Sequence, residues 1–488
     1  MTATQKIILV ITLLVGILVR TYKIDSPIAD WHSHRQADTS SVTKLYYQNG
    51  VDILHPKYHD LSNVQSGQDN PNGYRMVEFP IYNVITVNFS KISGLNIDLS
   101  GRIIAISLSI ASAILIFLFC FKTTHLFLPS YLSLFVFLFL PINIYYSRTI
   151  LPEPAAVFFM LLAMYLFTDH IFLSAIALAL SILIKPYTAI ILFPFFASSI
   201  FIYQKKYFNP KNIVKLFVFG LVTLVPFLLW RKWIGQFPEG IPKSDWLLNN
   251  GVTTTFPVWF HGYNLSFLNK LVAFRPHWFQ WLFLERITLL ILGGFGIVPL
   301  FLGTVFKKNH SQKYVFSFIL GILLYFIIIA QGNIQHDYYQ VLILPFISII
   351  CGFGYYYALK FTYSSRLLSI IVISLIFIFS TYFSWTKVSP NYQIGHPAIV
   401  SAGLAVQQLV PKNSLIIAPY NGDTALLFQT GLSGWPTEIY DIPAIIKAHP
   451  QTEIYFVSVN FDGYTNSIIP QYKTIIKNND YIILKLTP

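Results

Sequence analysis

The sequence predicts a polytopic α-helical membrane protein with a small α/β domain near its C-terminal end. Three observations carry this expectation. Of 488 residues, 55% are hydrophobic and only 11% charged, against about a quarter charged in a typical soluble chain. The apolar residues gather into long runs separated by short basic loops. Over roughly the last hundred residues the long runs give way to short β-branched segments and amphipathic stretches.

Apolar runs long enough to cross about 30 Å of hydrocarbon fall near residues 6–22, 101–121, 127–146, 153–169, 171–185, 187–204, 213–230, 284–306, 313–331, 339–359 and 366–386. They predict about eleven transmembrane helices. The first run has a lysine, an apolar core and Arg20, the outline of a signal peptide. No small-residue cleavage site precedes the polar loop, so an uncleaved helix is expected. The 43 Phe and 30 Tyr suit lipid-facing and interfacial positions.

Basic residues set the orientation. With a cytoplasmic N-terminus, the inner segments hold Lys6, Lys122, Lys205, Lys206, Lys211, Lys215, Lys307, Lys308, Lys313, Lys360 and Arg366, and their only acid is Asp169. The long loops 22–100 and 231–283, and everything after 387, then lie outside. Residues 1–387 are thus expected to form an integral membrane domain with its first outer loop at 22–100, and residues 388–488 a small extracytoplasmic domain. In the latter, Ser414–Pro419, Glu453–Val459 and Tyr481–Lys485 read as strands, and His396–Val410 and Ile442–Ala448 as helices.

Composition also excludes functions. The net charge of +13 sits in loops between spans rather than on a folded basic stripe, which argues against nucleic acid. Cys120 and Cys351 lie inside apolar runs, so neither a disulfide framework nor zinc spacing is available. Ion-coupled transporters need ionisable groups or broken helices at the bilayer midplane. Here such groups are nearly absent from the middles of the spans and gather at the outer boundary, where they are expected to converge on one cavity.

The first outer loop carries Asp30-Trp-His-Ser-His-Arg-Gln-Ala-Asp-Thr39 and Arg75-Met-Val-Glu-Phe-Pro-Ile-Tyr82. Glu153 opens the fourth span in Arg148-Thr-Ile-Leu-Pro-Glu-Pro154, Lys185 ends the fifth, and His336-Asp-Tyr-Tyr-Gln340 opens the tenth. Each has a plainer reading. Asp38 is placed to cap the helix running to Asn49, although Arg35 one turn away favours a functional carboxylate. Glu78 and Glu153 stand beside proline at helix starts, where negative charge offsets the dipole. Arg148 and Lys185 have the placement of interfacial snorkelling residues. His32, His34, His261 and His277 read as surface or stacking residues, and His336 with Asp337 as a metal or phosphate ligand.

Together these motifs resemble the GT-C membrane glycosyltransferases that use polyprenyl-phosphate sugars, in the branch of the protein O-mannosyltransferases and aminoarabinose transferases. The resemblance covers roughly residues 1–390. It implies a hexosyl- or pentosyltransferase acting on the outer face, with a polyprenyl-phosphate sugar as donor and a lipid, glycan or protein hydroxyl as acceptor. Asp38 takes the place of the family's acidic base, with Asp30 in reserve, and Glu153 that of the acid in the second outer loop. Arg35, Arg148 and Lys185 are the cations for the leaving phosphate, and Tyr338 and Tyr339 the rings for sugar or isoprenoid. A divalent ion held by Glu78, Glu153 or His336 is a further candidate. One displacement with inversion needs no second nucleophilic carboxylate.

Two departures stand against a closer match. Glu78-Phe79-Pro80 lacks the lysine of the aminoarabinose transferases' Glu-Lys-Pro-Pro element, and the large outer insertion of the O-mannosyltransferases is missing. Other readings are a lipid-linked saccharide flippase or exporter, an outer-face glycan ligase or polymerase, and a receptor or scaffold.

Overall fold

The computed structural model describes residues 1–203, 207, 209–243, 280–305, 311–361 and 366–487. Lys205, Lys206, Lys307, Lys308, His261, His277 and most of the expected outer loop 231–283 lie outside these. The chain divides into two compact units. One comprises Met1–Tyr22, Ile103–Trp230 and Trp246–Pro390; the other comprises Lys23–Arg102, Arg231–Asp245 and Asn391–Pro488.

The first unit is helical and built for lipid. Among the described residues, five helical stretches are long and apolar enough to span: Ala3–Arg20, Ile97–Thr124, Pro210–Ile234, Asp337–Lys360 and the one that begins with helix Arg366–Val388. Five shorter apolar helices accompany them: Phe127–Phe139, Glu153–Leu166, Ile171–Ile184, Tyr187–Ile202 and Tyr314–Ile328. The protein is an integral membrane protein; the count of eleven stays an expectation. Helices that are apolar all round are either central or lipid-facing, and burial separates the two kinds. Asp337–Lys360 is 83% buried, whereas Pro210–Ile234 is 11% buried and exposes Phe217, Leu228 and Leu229.

Sequence features set the ends of these helices. Thr2 accepts from the Gln5 amide at 3.2 Å while Gln5 accepts from the Thr2 amide at 2.9 Å, a capping box that starts the first helix. The run 127–146 breaks at Leu140, whose extended backbone precedes Pro141. The run expected at 284–306 is two elements, a π-helix at Leu282–Ile291 and an α-helix at Ile297–Val305. They are separated by Gly293 and Gly294, both in the left-handed region. Asp169, the only acid of the expected inner segments, pairs with Lys122 at 2.5 Å.

The second unit holds a five-stranded sheet: β1 (Leu415–Ile417), β2 (Gly434–Trp435), β3 (Ile454–Ser458), β4 (Lys473–Lys477) and β5 (Ile482–Lys485), in the order β2-β1-β3-β5-β4. β1 runs parallel to β2 and β3, whereas β5 is antiparallel to β3 and β4. Successive side chains of a strand point to opposite faces, and β3 is buried throughout because both faces are covered. Tyr455 and Val457 join Ile399, Ala402 and Val406 of helix Pro397–Leu409. Ile454 and Phe456 join Trp435, Ile442 and Ile468 on the other side. The edge strand β4 is mostly exposed and begins and ends in lysine, a residue that discourages further pairing.

The polar stretch 23–102 folds within this same unit. The amide of Gly434 donates to His59 at 2.9 Å and the amide of Leu61 donates to Gly434 at 2.8 Å, so residues 59–61 continue the sheet beyond β2. Two helices follow from this stretch, Ser33–Asn49 and Ile81–Ser93, pinned by Val42, Tyr46, Tyr58 and Val87. Asp38 lies inside the first of them, so the helix-capping reading of Asp38 is overturned: the helix begins five residues earlier, after His32 in a left-handed conformation.

Candidate active site

Helix Ser33–Asn49 is buried on all sides over residues 35–43, and most of that stretch is polar. Arg35, Gln36, Asp38, Thr39, Ser40, Ser41 and Thr43 are all buried, and such groups are rarely fully buried without a partner or a task. Several are tied structurally. Asn83 donates to the Thr39 carbonyl at 2.8 Å and to the Thr43 hydroxyl at 2.9 Å, Ser40 donates to Asp98 at 2.6 Å, and Ser41 meets His59 at 2.5 Å.

Asp38, 3% exposed, is held through both carboxylate oxygens. Oδ2 faces a guanidinium nitrogen of Arg75 at 3.0 Å and accepts from Gln65 at 3.2 Å, while Oδ1 accepts from the Thr424 hydroxyl at 2.7 Å. Arg75 also donates to Gln65 at 2.5 Å, which closes the cluster. The cation expected beside Asp38, Arg35, pairs instead with Glu78. Asp30 is buried too and accepts from Gln36 at 2.7 Å.

The titratable groups around Asp38 are buried, and burial shifts them. Burial, against the opposing charge of Asp38 and with His32, Arg35 and Arg75 adding to it, pushes His34 down to about 4, so it is neutral at neutral pH. Burial raises Asp60 and Asp423 to about 6 each, with the charge of Asp38 adding to both. His59, wholly enclosed, is pushed down to about 3.

A second cluster belongs to the membrane unit. Glu153 opens helix Glu153–Leu166, and Lys185 follows the end of helix Ile171–Ile184; the two pair at 2.8 Å with both side chains buried. The other carboxylate oxygen of Glu153, Oε2, is buried with no hydrogen-bond partner among the described residues. Arg148, 1% exposed, lies over the Tyr145 ring at 5.3 Å. Neither Arg148 nor Lys185 is a snorkelling residue, because both are buried. The Tyr146 hydroxyl bonds Asp337. His336 stacks on Tyr338 at 5.1 Å, and Tyr339 stacks on Tyr187 at 5.7 Å while its carbonyl accepts from the Tyr325 hydroxyl.

The ten candidates thus fall into two sets. Asp38, Arg35, Glu78 and Asp30 belong to one unit, and Glu153, Arg148, Lys185, His336, Tyr338 and Tyr339 to the other. Arg75, Gln65, Thr424, Tyr146, Tyr187 and Tyr325 are partners that sequence reasoning did not nominate. Arg75 stands inside a motif quoted above, whereas nothing local to Thr424 points to Asp38. For a divalent ion the donor set fits poorly. Glu78 and Glu153 are each compensated by a cation, and among the described residues no group of three or more His, Cys, Asp or Glu could hold a metal.

Comparison with solved structures gives the fold its context. ArnT from Cupriavidus metallidurans bound to undecaprenyl phosphate superposes with a TM-score of 0.63 at 12% identity, covering 99% of this chain and 98% of that one. The chain shares the fold of this ArnT over nearly its whole length. The apo state of the same ArnT gives a TM-score of 0.64 at 11% identity over the same share of each chain. The archaeal oligosaccharyltransferase AglB from Archaeoglobus fulgidus, in complex with an inhibitory peptide and a dolichol-phosphate, gives 0.54 at 10% identity over 94% of this chain and 70% of its own. No protein-family model and no curated protein matches the sequence.

Proposed function

We propose that this protein is a membrane glycosyltransferase that moves a hexose or pentose from a polyprenyl-phosphate donor to a hydroxyl acceptor on the extracytoplasmic face. The observation that carries the reading is Asp38, a buried carboxylate held through both oxygens by Arg75, Gln65 and Thr424. A group so fixed suits proton abstraction, in which orientation matters as much as basicity. The fold supports the donor class, since ArnT binds undecaprenyl phosphate and AglB a dolichol-phosphate.

In this mechanism the acceptor oxygen attacks the anomeric carbon as its proton passes to Asp38. The bond between that carbon and the lipid phosphate breaks, and the anomeric centre inverts. The departing phosphate gathers negative charge that cations must meet, and within the membrane unit the candidates for that role are Lys185, oriented by Glu153, and Arg148. The rings of Tyr338 and Tyr339, stacked with Tyr187 and His336, offer faces for the sugar or the isoprenoid. Arg35, neutralised by Glu78, serves the local structure of the polar loop and is a weaker candidate for the phosphate. No step is routed through a metal ion.

Asp38→Asn keeps the shape of the side chain but removes the base. Membranes bearing it are expected to transfer label from a polyprenyl-phosphate sugar at least ~100-fold more slowly than wild type, with equal protein accumulation. Full turnover by that variant refutes the assignment. Intact donor arriving on the opposite leaflet identifies a flippase instead.

A further inference from the structure

The C-terminal sheet region carries a cavity that the transfer reaction does not use. It has a volume of about 520 Å3, inside the range of about 300–1,000 Å3 common for ligand sites. It opens between helix Ile442–Ala448 and helix Gly463–Ile468. Its walls include three tyrosines, Tyr440, Tyr464 and Tyr472, and two carboxylates, Glu438 and Asp462. No lysine, arginine or histidine lines it, in a chain whose net charge is +13.

The walls are set before any ligand arrives. The Tyr464 hydroxyl donates to the Ile439 carbonyl at 2.7 Å and accepts from the Ile439 amide at 2.8 Å, which fixes its ring. Tyr440 meets that ring edge-on at 5.4 Å and is itself 84% exposed. Its hydroxyl bonds Glu438 through Oε2. Asp462 accepts from the Thr465 amide at 2.8 Å through Oδ1. The remaining oxygens, Glu438 Oε1 and Asp462 Oδ2, accept nothing among the described residues.

Exposed tyrosine faces beside unengaged carboxylate oxygens match one ligand chemistry closely. A pyranose presents apolar C–H faces to aromatic rings and donates several hydroxyls to acceptor-only groups. Two carboxylates without a compensating cation repel phosphate and uronate. We propose that this cavity is a carbohydrate-binding subsite for a neutral or amine-bearing saccharide of one to a few units, separate from the transfer chemistry. It goes beyond the transferase reading and does not require it, since a protein that turns over no donor still displays the binding.

The test uses the full chain in lipid nanodiscs and reads saturation transfer by NMR to three free probes: mannotriose, chitotriose and trigalacturonate. Saturation is expected at the ring protons of mannotriose or chitotriose and not of trigalacturonate. The signal is expected to fall at least fivefold in Tyr440→Ala, whose exposed side chain leaves folding intact, and to weaken in Glu438→Gln. The proposal is overturned by silence from both neutral probes, by a signal that Tyr440→Ala leaves unchanged, or by equal transfer to trigalacturonate. Asp38→Asn, run in parallel, is expected to keep the binding signal, so failure here and failure of the transferase reading are told apart.

Discussion

The oxygens of Asp38 draw on partners from widely separated parts of the chain, with Thr424 lying 386 residues away. A hydrogen bond to a charged group is worth about 1.5–3 kcal/mol, so Thr424→Val is expected to slow transfer roughly tenfold or more. KM should change little and Thr424→Ser should restore the rate, which steady-state kinetics of the three forms will check. Asp423, next in sequence, gives a pH signature. Its folded value of about 6 lies above its ordinary 3.8, so between those values the folded state holds the extra proton. Stability from this group is therefore fully present at low pH and is lost as pH rises through 6. Asp423→Asn should gain about 1 kcal/mol relative to wild type on going from pH 5 to pH 7, read as a diverging melting temperature. The acids were legible as candidates because Asp38, Glu78 and Glu153 stand out in an apolar chain. Their partners were not. Arg35 is near Asp38 in sequence, yet the side chain that reaches Asp38 belongs to Arg75, and only tertiary folding decides between them.

Helices Ile297–Val305 and Leu344–Phe361 cross at near backbone contact. A Cβ on Gly354 would lie 1.7 Å from the Pro299 carbonyl oxygen, and one on Gly303 would lie 2.0 Å from that of Ile350. Small residues allow such approach between membrane helices. Gly354→Ala must push the pair apart, at a cost of about 1–3 kcal/mol. The expected result is lower accumulation and a lower melting temperature in detergent, with Gly354→Ser no better. Periodicity and apolar length placed most helices, including the first at Ala3–Arg20 and the C-terminal Pro397–Leu409. They failed where an apolar run changes geometry without changing composition. The π-helix at Leu282–Ile291 and the 3-10 turn at Asp337–Ile343 fall at the starts of the runs expected at 284–306 and 339–359, where hydropathy carries no sign of the changed helical geometry. Strand β4 was missed for the opposite reason: an exposed edge with lysine at both ends has little of the buried-strand signature.

For the molecule as a whole, lysine placement gives an orientation that labelling can test. Cys120 and Cys351 are buried, so the native background is low. An impermeant maleimide should label Lys447→Cys in intact cells but Lys360→Cys only after permeabilisation; the reverse pattern would overturn the extracytoplasmic assignment. The membrane nature of the chain was plain from composition, whereas the folding of residues 23–102 with 391–488 was not, because the hydrogen bonds of 59–61 to Gly434 leave no local trace. The buried pair Glu153–Lys185 carries a consequence for biogenesis. Each charge sits at one end of its own helix, Glu153 at the start of the first and Lys185 just past the end of the second. A lone charge moved into hydrocarbon costs several kcal/mol. Delivered singly by the translocon, either segment would bear that penalty; delivered as a hairpin, the two cancel it, so this pair of segments should leave the insertion machinery together.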